Sequence, residues 1–309
     1  QEVEDARINN SGMYTGIGAT VRNKDNKMII IEPFKGFPAD KAGLKSGDQI
    51  IKIGDITLSD NKGDASELLK GVVDSKVKLT YLREGKTETT TLTRGAIDVR
   101  AVPFYQLINK DIGYIVLSKF NRKTTTETKV ALEDLKSQGA TKIILDLRGN
   151  PGGLLTEAVN VVNLFVPKGA VIVTTKSAIK KYNKTYKTQK PAFDTEIPLV
   201  VLVNGRSASA SEIVSGGLQD LDRAVIIGAR SFGKGLVQRP KKLTYGTQLK
   251  VTISRYYTPS GRCIQALDYW NRDENGDPVR VAIKEYNSFK TKGGRTVYDG
   301  GGIVPDIEL

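Results

Sequence analysis

Leu199-Val-Val-Leu-Val-Asn-Gly-Arg-Ser-Ala-Ser-Ala-Ser-Glu-Ile-Val-Ser-Gly-Gly-Leu218 is the stretch that decides the fold. Residues 199–203 are a continuous apolar run of strand length. A polar turn follows, and small and apolar residues then read as a helix over 209–218. Ser209 with Glu212 three positions on has the spacing of a capping box, which marks the helix start. Strand, tight turn and helix make one βα unit, and the pattern recurs on both sides. A strand at 112–120 leads to a helix over 124–138, with Val130, Leu132 and Leu135 as its main apolar residues. A strand at 142–147 leads through a glycine-rich turn to a helix over 154–164. Further strands begin at 171 and cover 224–227 and 249–256. Strands alternating with helices predict an α/β fold with at least partly parallel pairing.

The N-terminal part has a different rhythm. Residues 1–13 are polar and without period. Strands are expected at 17–22 and 27–31, joined by a turn at Asn23, Asp25 and Asn26. A short helical piece at 39–42 ends at Gly43, and a strand follows at 48–53. A helix is expected over 65–72 with Asp64 as N-cap. The alternating runs 77–83 and 87–92, joined by Glu84-Gly-Lys, read as a hairpin. Together these make a compact unit of roughly 80 residues, the size of a small domain.

Composition restricts the chemistry. The 309 residues include one cysteine and no histidine, so no Ser-His-Asp triad, Cys-His pair or histidine-ligated zinc site can form within the chain. Neither a metal nor another cofactor is expected. Acid–base work at neutral pH falls to a carboxylate, a lysine or a tyrosine with a shifted pKa. No apolar run reaches the ~18 residues of a membrane span. The chain begins at Gln1 with neither a methionine nor a signal-like segment, as a mature or trimmed form would. The net charge of +13 raises nucleic acid, an anionic surface or an acidic substrate as partners. Six lysines within residues 176–190, with Tyr182 and Tyr186 between them, are read as a solvated hairpin or loop. No nucleic-acid motif accompanies them.

Three glycine-rich turns follow strands. Gly228-Ala-Arg-Ser-Phe-Gly233-Lys234-Gly235 has P-loop spacing, but Gly235 stands where a serine or threonine should. The extended Leu236-Val-Gln-Arg-Pro240 stands where a helix should begin, so no nucleotide is expected. Asp146-Leu-Arg-Gly-Asn-Pro-Gly-Gly153 lets backbone approach a ligand, or is simply a tight βα turn. Asn204 to Glu212 places serines at a strand-to-helix junction, where they cap the helix or where one gains the helix dipole and a following N–H as a nucleophile. If Ser209 is that nucleophile, its base must be a lysine held neutral. Lys234 is the best candidate: glycines flank it, and Phe232, Leu236 and Val237 offer apolar surroundings. Gln238 lies four residues on, on the same face of an extended segment, where its amide can orient the lysine. The alternative for Lys234 is a solvated loop lysine.

Ser207-Ala-Ser-Ala-Ser-Glu-Ile213, with Phe232-Gly-Lys-Gly235 following so that Lys234 lies 25 positions after Ser209, resembles the C-terminal processing peptidases, or tail-specific proteases. Leu218-Gln-Asp220, Arg255-Tyr-Tyr-Thr-Pro-Ser-Gly261 and Gly301-Gly-Ile-Val-Pro-Asp306 are similar to further segments of that family. The resemblance implies a Clp protease/crotonase-like α/β peptidase core with a PDZ domain, Ser209 as nucleophile, Lys234 as general base and Gln238 as its orienting partner. Gly152 or Gly153 and the amide of Ala210 would form the oxyanion hole, with Glu212 and Asp220 in support. Tyr14-Thr-Gly16-Ile17-Gly18-Ala19 resembles the carboxylate-binding loop of a PDZ domain, at which a protein tail adds as a strand. The implied division is a leading segment 1–13, a PDZ domain 14–95 and a peptidase domain 96–309. The implied partners are proteins or peptides with free C-terminal tails, outside the cytoplasm, with neither nucleotide nor nucleic acid. A homo-oligomer is possible, though family members usually carry helical segments before the PDZ domain. The rival reading is an inactive scaffold whose PDZ domain binds tails without cleavage.

Overall fold

The computed structural model describes residues 12–24, 27–60, 65–244 and 247–309. Residues 1–11 of the expected leading segment, Asp25 and Asn26 of the expected turn, and the expected N-cap Asp64 lie outside the described residues, while Met13, the last residue of that segment, opens a strand. Two compact units divide the described chain, Gly12–Val99 and Arg100–Leu309.

The first unit is an antiparallel sheet of β2 (Ala19–Lys24), β3 (Lys27–Pro33), β4 (Gln49–Ile53), β6 (Lys76–Arg83) and β7 (Lys86–Thr93), in that order, with β5 (Ile56–Thr57) against β4. β1 (Met13–Gly16) pairs with β8 (Gly95–Asp98). Alternation in β6 turns Val77, Leu79 and Tyr81 into a core that also holds Met28, Ile30 and Ile50. The short helical piece is α1 (Pro38–Lys41). The helix expected over 65–72 is instead a 3₁₀ segment, Ala65–Leu69, and Val72 is exposed. The Arg94 guanidinium takes the carbonyls of Leu68 (2.9 Å) and Leu69 (3.1 Å), acceptors that a continuing helix would need. β2 is the edge strand of this sheet, next to β3.

The second unit is α/β. Its main sheet runs in the order Ile307–Glu308, β15 (Val225–Gly228), β14 (Leu199–Val203), β11 (Lys142–Asp146), β10 (Ile112–Val116), β9 (Phe104–Ile108). All neighbours are parallel except β9 and β10. The helices are α2 (Thr124–Ser137), α3 (Leu155–Asn163) and α4 (Ala210–Asp220). In α2 the buried positions are Thr124, Thr128, Ala131, Leu132 and Leu135. Val130, one of the three main apolar residues of this run, is exposed, because it lies two residues and therefore roughly 200° from Leu132 on a 3.6-residue turn. Every residue of α4 is buried. Gly216 makes this possible, since a Cβ there would come within 2.7 Å of Ile303 Cδ1. A second sheet follows the order β13 (Lys184–Lys187), β12 (Val171–Lys176), β17 (Gln248–Tyr257), β16 (Leu236–Lys242).

One topological fact positions the site. The turns after β11, β14 and β15 all leave the carboxyl ends of adjacent parallel strands, where loops of α/β sheets converge on a ligand. Among the described residues no helix is long and apolar enough to cross a membrane.

Candidate active site

Ser209 ends the turn after β14 and caps α4. Its backbone has φ 56° and ψ −110°, a conformation that costs a non-glycine residue about 1–3 kcal/mol. Two things hold it there. Behind it, Asn150 from the turn after β11 accepts the Ala208 N–H (3.0 Å) and the Ser211 hydroxyl (3.0 Å) on its carbonyl. Ahead of it, the Glu212 carboxylate reaches back to the Ser209 N–H at 2.7 Å, the carboxylate half of the expected capping box.

Glu212 does more than cap. Its Oε2 also accepts the Lys234 N–H (2.9 Å), while Oε1 accepts the Gly233 N–H (2.7 Å) and the Ser231 hydroxyl (2.6 Å). One buried carboxylate therefore ties the helix start to the loop after β15, and the backbones of Ser209 and Lys234 share a single oxygen. Burial pushes the Glu212 pKa up, and these hydrogen bonds pull it back down. The Tyr256 hydroxyl, fully buried on β17, makes a second link, at 2.5 Å from the Lys234 carbonyl and 3.2 Å from that of Ser209. The lysine loop is close-packed as well: Gly233 has φ 88°, and a Cβ there would lie 2.3 Å from that of Ala266.

Lys234 is half-buried. Burial disfavours its ammonium and Lys250 adds positive charge, so its pKa is lowered, although Glu212 acts the other way. Lys119 is also lowered by burial, so a shifted lysine alone does not identify a base. What distinguishes Lys234 is the acceptor it shares with Ser209. Of its expected apolar neighbours, Leu236 and Val237 are half-buried and Phe232 is exposed. Burial raises the Cys263 thiol, which keeps it from acting as a thiolate at neutral pH.

Gln238 is less closely engaged than the spacing implied. Val237 packs on the core, whereas Leu236 and Gln238 line a groove. The pairing of β16 with β17 slips between Val237 and Gln238, and Gln238 is exposed. No hydrogen bond joins Gln238 to Lys234 among the described contacts.

The glycine turn after β11 lies directly against Ser209. A Cβ on Gly152 (φ 98°) would come within 2.6 Å of the Ala208 carbonyl oxygen, 2.8 Å of the Ala210 nitrogen and 2.8 Å of Ser209 Cβ. The Gly152 N–H is already engaged by Asn150 Oδ1 at 2.8 Å. Gly153 differs. Phe120 brackets it, donating to the Gly152 carbonyl and accepting from the Leu154 N–H, so the Gly153 N–H faces away from Phe120. Gly153 is exposed, and neither its N–H nor that of Ala210, the first residue of α4, has an acceptor among the described contacts. Asp220 lies at the far end of α4, where its carboxylate takes the buried Arg262 guanidinium at 2.7 Å. It supports the helix from a distance.

In the first unit, Gly16 closes β1 and Ala19 opens β2. The Ile17 and Gly18 carbonyls accept the Ala39 N–H (2.7 Å) and Phe34 N–H (2.9 Å). Gly18 has φ 72°, and a Cβ there would meet Phe37 Cβ at 2.5 Å. The Tyr14 ring lies over Gly16; burial raises its hydroxyl pKa, while the Lys70 charge and the Ala19 N–H oppose that.

Sequence reasoning missed two residues that organise these loops: Asn150 was legible only as part of a turn and Tyr256 only as part of a similar segment. Glu212 was read as a cap and as a supporting residue of the family pattern. Glu212 had the best signal, since its capping spacing was legible. Its reach to the lysine loop was not.

Comparison with known proteins adds independent findings. The family model for peptidase family S41 matches residues 111–269, and that for the PDZ domain matches residues 15–93. The chain is 38% identical over 258 residues to the carboxy-terminal processing protease CtpA of Bacillus subtilis, covering 82% of this chain and 54% of that protein. It is 37% identical over 276 residues to a carboxy-terminal-processing protease of Bartonella bacilliformis, covering 86% of this chain and 62% of that one. The chain thus spans little more than half the length of these relatives. Among solved structures, a photosystem II D1 C-terminal processing protease matches with TM-score 0.53 and 28% identity, over 100% of this chain and 76% of that one.

Proposed function

Because this chain belongs to peptidase family S41 and carries a PDZ domain, we propose that it is a serine endopeptidase that reads protein C-terminal tails and cleaves by a Ser-Lys mechanism. The observation that carries this reading is the single Glu212 oxygen that accepts the N–H groups of both Ser209 and Lys234.

In this reading the neutral Lys234 amine takes the Ser209 hydroxyl proton as Oγ attacks a peptide carbonyl carbon. The carbonyl electron pair moves onto oxygen, and the N–H groups of Gly153 and Ala210 receive that negative charge. Lys234, now protonated, gives its proton to the leaving amine as the C–N bond breaks and the acyl-enzyme forms. A water that gives its proton to the same amine then attacks the ester and frees Ser209. Lowering of the lysine pKa by burial and by Lys250 supports a neutral amine. Gln238 is assigned to orient Lys234, a role that needs its amide to reach Nζ once substrate is seated.

Residues 14–95 act as the tail reader in this proposal. The outer edge of β2 takes the tail as an added strand, and the loop Gly16, Ile17, Gly18 and Ala19 takes its carboxylate. Work outside the cytoplasm, in the periplasm or cell envelope, follows from the resemblance.

The test offers one unstructured substrate with a free or an amidated C-terminus to the wild type and to Ser209→Ala. Cleavage by the wild type only, faster for the free terminus, is expected. Turnover by Ser209→Ala would refute the nucleophile. Equal cleavage of both substrates would remove the tail-reading role, and binding without cleavage would leave a scaffold.

A further inference from the structure

The basic hairpin singled out in the sequence forms one wall of a groove of about 1350 Å³ in the second unit. Among the described residues five charged side chains line it: Lys176, Lys181, Arg239, Lys241 and Arg255. All are cations, and no described aspartate or glutamate lines the groove. None of the five is ion-paired with a carboxylate among the described residues. Asp268 feels the charge of Arg255, but it is committed first to the Trp270 N–H at 2.9 Å and to Asn271. A concave surface lined by one sign of charge raises the local concentration of the opposite sign.

The groove is also apolar. Leu249 and Val251, alternate residues of β17, are exposed in it, and Tyr269 and Trp270 stand beside them, Trp270 at 93% exposure. Exposed apolar side chains gathered in one concavity mark a place for a partner. Leu236, Gln238 and Gln265 also line the groove. Gln265 Oε1 accepts the Gly235 N–H at 2.7 Å, so the groove abuts the loop that carries Lys234.

We propose that this groove receives an extended acidic and apolar segment of the polypeptide substrate, next to the bond that is cut. The proposal rests on the peptidase reading and adds the substrate class: carboxylates meet the five cations, and aliphatic or aromatic side chains cover Leu249, Val251, Tyr269 and Trp270. A single-stranded nucleic acid would also meet positive charge and aromatic rings. Two features favour the polypeptide. The Tyr257 and Tyr182 rings are already occupied by Lys176 (4.4 Å) and Lys181 (5.2 Å), which leaves fewer faces for bases to stack on. The Leu249 and Val251 side chains suit aliphatic contacts spaced along a chain.

Binding is measured by fluorescence anisotropy on the full chain carrying Ser209→Ala. The probes are C-terminally amidated peptides, so that no tail carboxylate contributes. One peptide is rich in Asp, Glu and Leu, and its partner has Asn and Gln in place of the acids. The acidic peptide should bind about tenfold more tightly at low salt, and the preference should shrink as salt screens it. Adding Arg239→Gln and Lys241→Gln should remove most of the preference, and Trp270→Ala should weaken both peptides. Equal binding of the two peptides would overturn the proposal, as would a preference untouched by the double substitution. So would tighter binding of an oligothymidylate of matched charge. A second arm joins each segment to a cleavable core and measures turnover by otherwise wild-type protein, where the acidic segment should lower KM and leave kcat unchanged. Selective binding without any turnover would count against the peptidase reading alone. Turnover without selectivity would count against the groove alone.

Discussion

Replacing Glu212 with glutamine changes one oxygen into an amide nitrogen, and the structure sets the cost. Three of the four groups around the carboxylate are backbone N–H donors, which cannot accept a proton in return. If the remaining oxygen keeps Ser231 and Gly233, the new NH₂ faces the N–H groups of Ser209 and Lys234, donor against donor. Each buried N–H without an acceptor costs about 1–3 kcal/mol, so two cost roughly 2–6 kcal/mol. Part of this is returned, because burial disfavours the charged carboxylate and pushes its pKa up. The remainder is a large fraction of the ~5–15 kcal/mol that holds a typical domain folded. It falls on the two backbones that, in the proposed mechanism, align Ser209 with Lys234. A misplacement of about 1 Å there lowers kcat roughly a hundredfold. The assay pairs steady-state cleavage of an unstructured protein with urea unfolding of the same preparation. We expect a less stable protein that still folds, with kcat down by about two orders of magnitude and KM little changed. A folded Glu212→Gln protein with undiminished kcat would refute the reasoning, because it would show that the shared oxygen aligns nothing.

Three further outcomes follow from the same geometry. Gly152→Ala should lower kcat by more than about a hundredfold, since its Cβ would sit 2.6 Å from the Ala208 carbonyl oxygen at φ 98°; normal kinetics would mean that the turn is not packed on Ser209. Tyr256→Phe should destabilise the protein by about 0.5–1.5 kcal/mol and speed amide exchange at Gly235, and unchanged exchange would deny the link between the Ser209 and Lys234 carbonyls. Lys250→Gln removes a cation that disfavours the Lys234 ammonium, so the lysine pKa rises. In the proposed mechanism activity needs the neutral amine and fails as pH falls below that pKa, so the acid limb of kcat/KM against pH should move to higher pH. An unmoved limb would remove Lys250 from the electrostatics of the site.

The sequence made the βα units legible because apolar runs and turn residues are local signals. It failed where a distant residue acted. The helix expected over 65–72 ends early because Arg94, more than twenty residues away, takes its carbonyls. Val130 is as apolar as Leu132 and Leu135, yet its place on the turn of α2 sends it to solvent. The choice between Gly152 and Gly153 could not be made from two adjacent glycines. What separates them is tertiary: the Asn150 side chain occupies the Gly152 N–H and Phe120 turns the Gly153 N–H outward, which supports Gly153 in the proposed oxyanion hole.

The missing histidine and the spacing from Ser209 to Lys234 are properties of the sequence, and they determined which chemistry this chain can perform and which side chains are candidates. Only the tertiary structure decided that the backbones of Ser209 and Lys234 meet at one carboxylate oxygen, that Gln238 faces a groove without bonding Lys234, and that scattered cations line that groove. Local order along a chain fixes which groups are available. The packing of parallel strands, whose carboxyl ends bring separate loops together, fixes which of those groups share a charge, a proton or an acceptor.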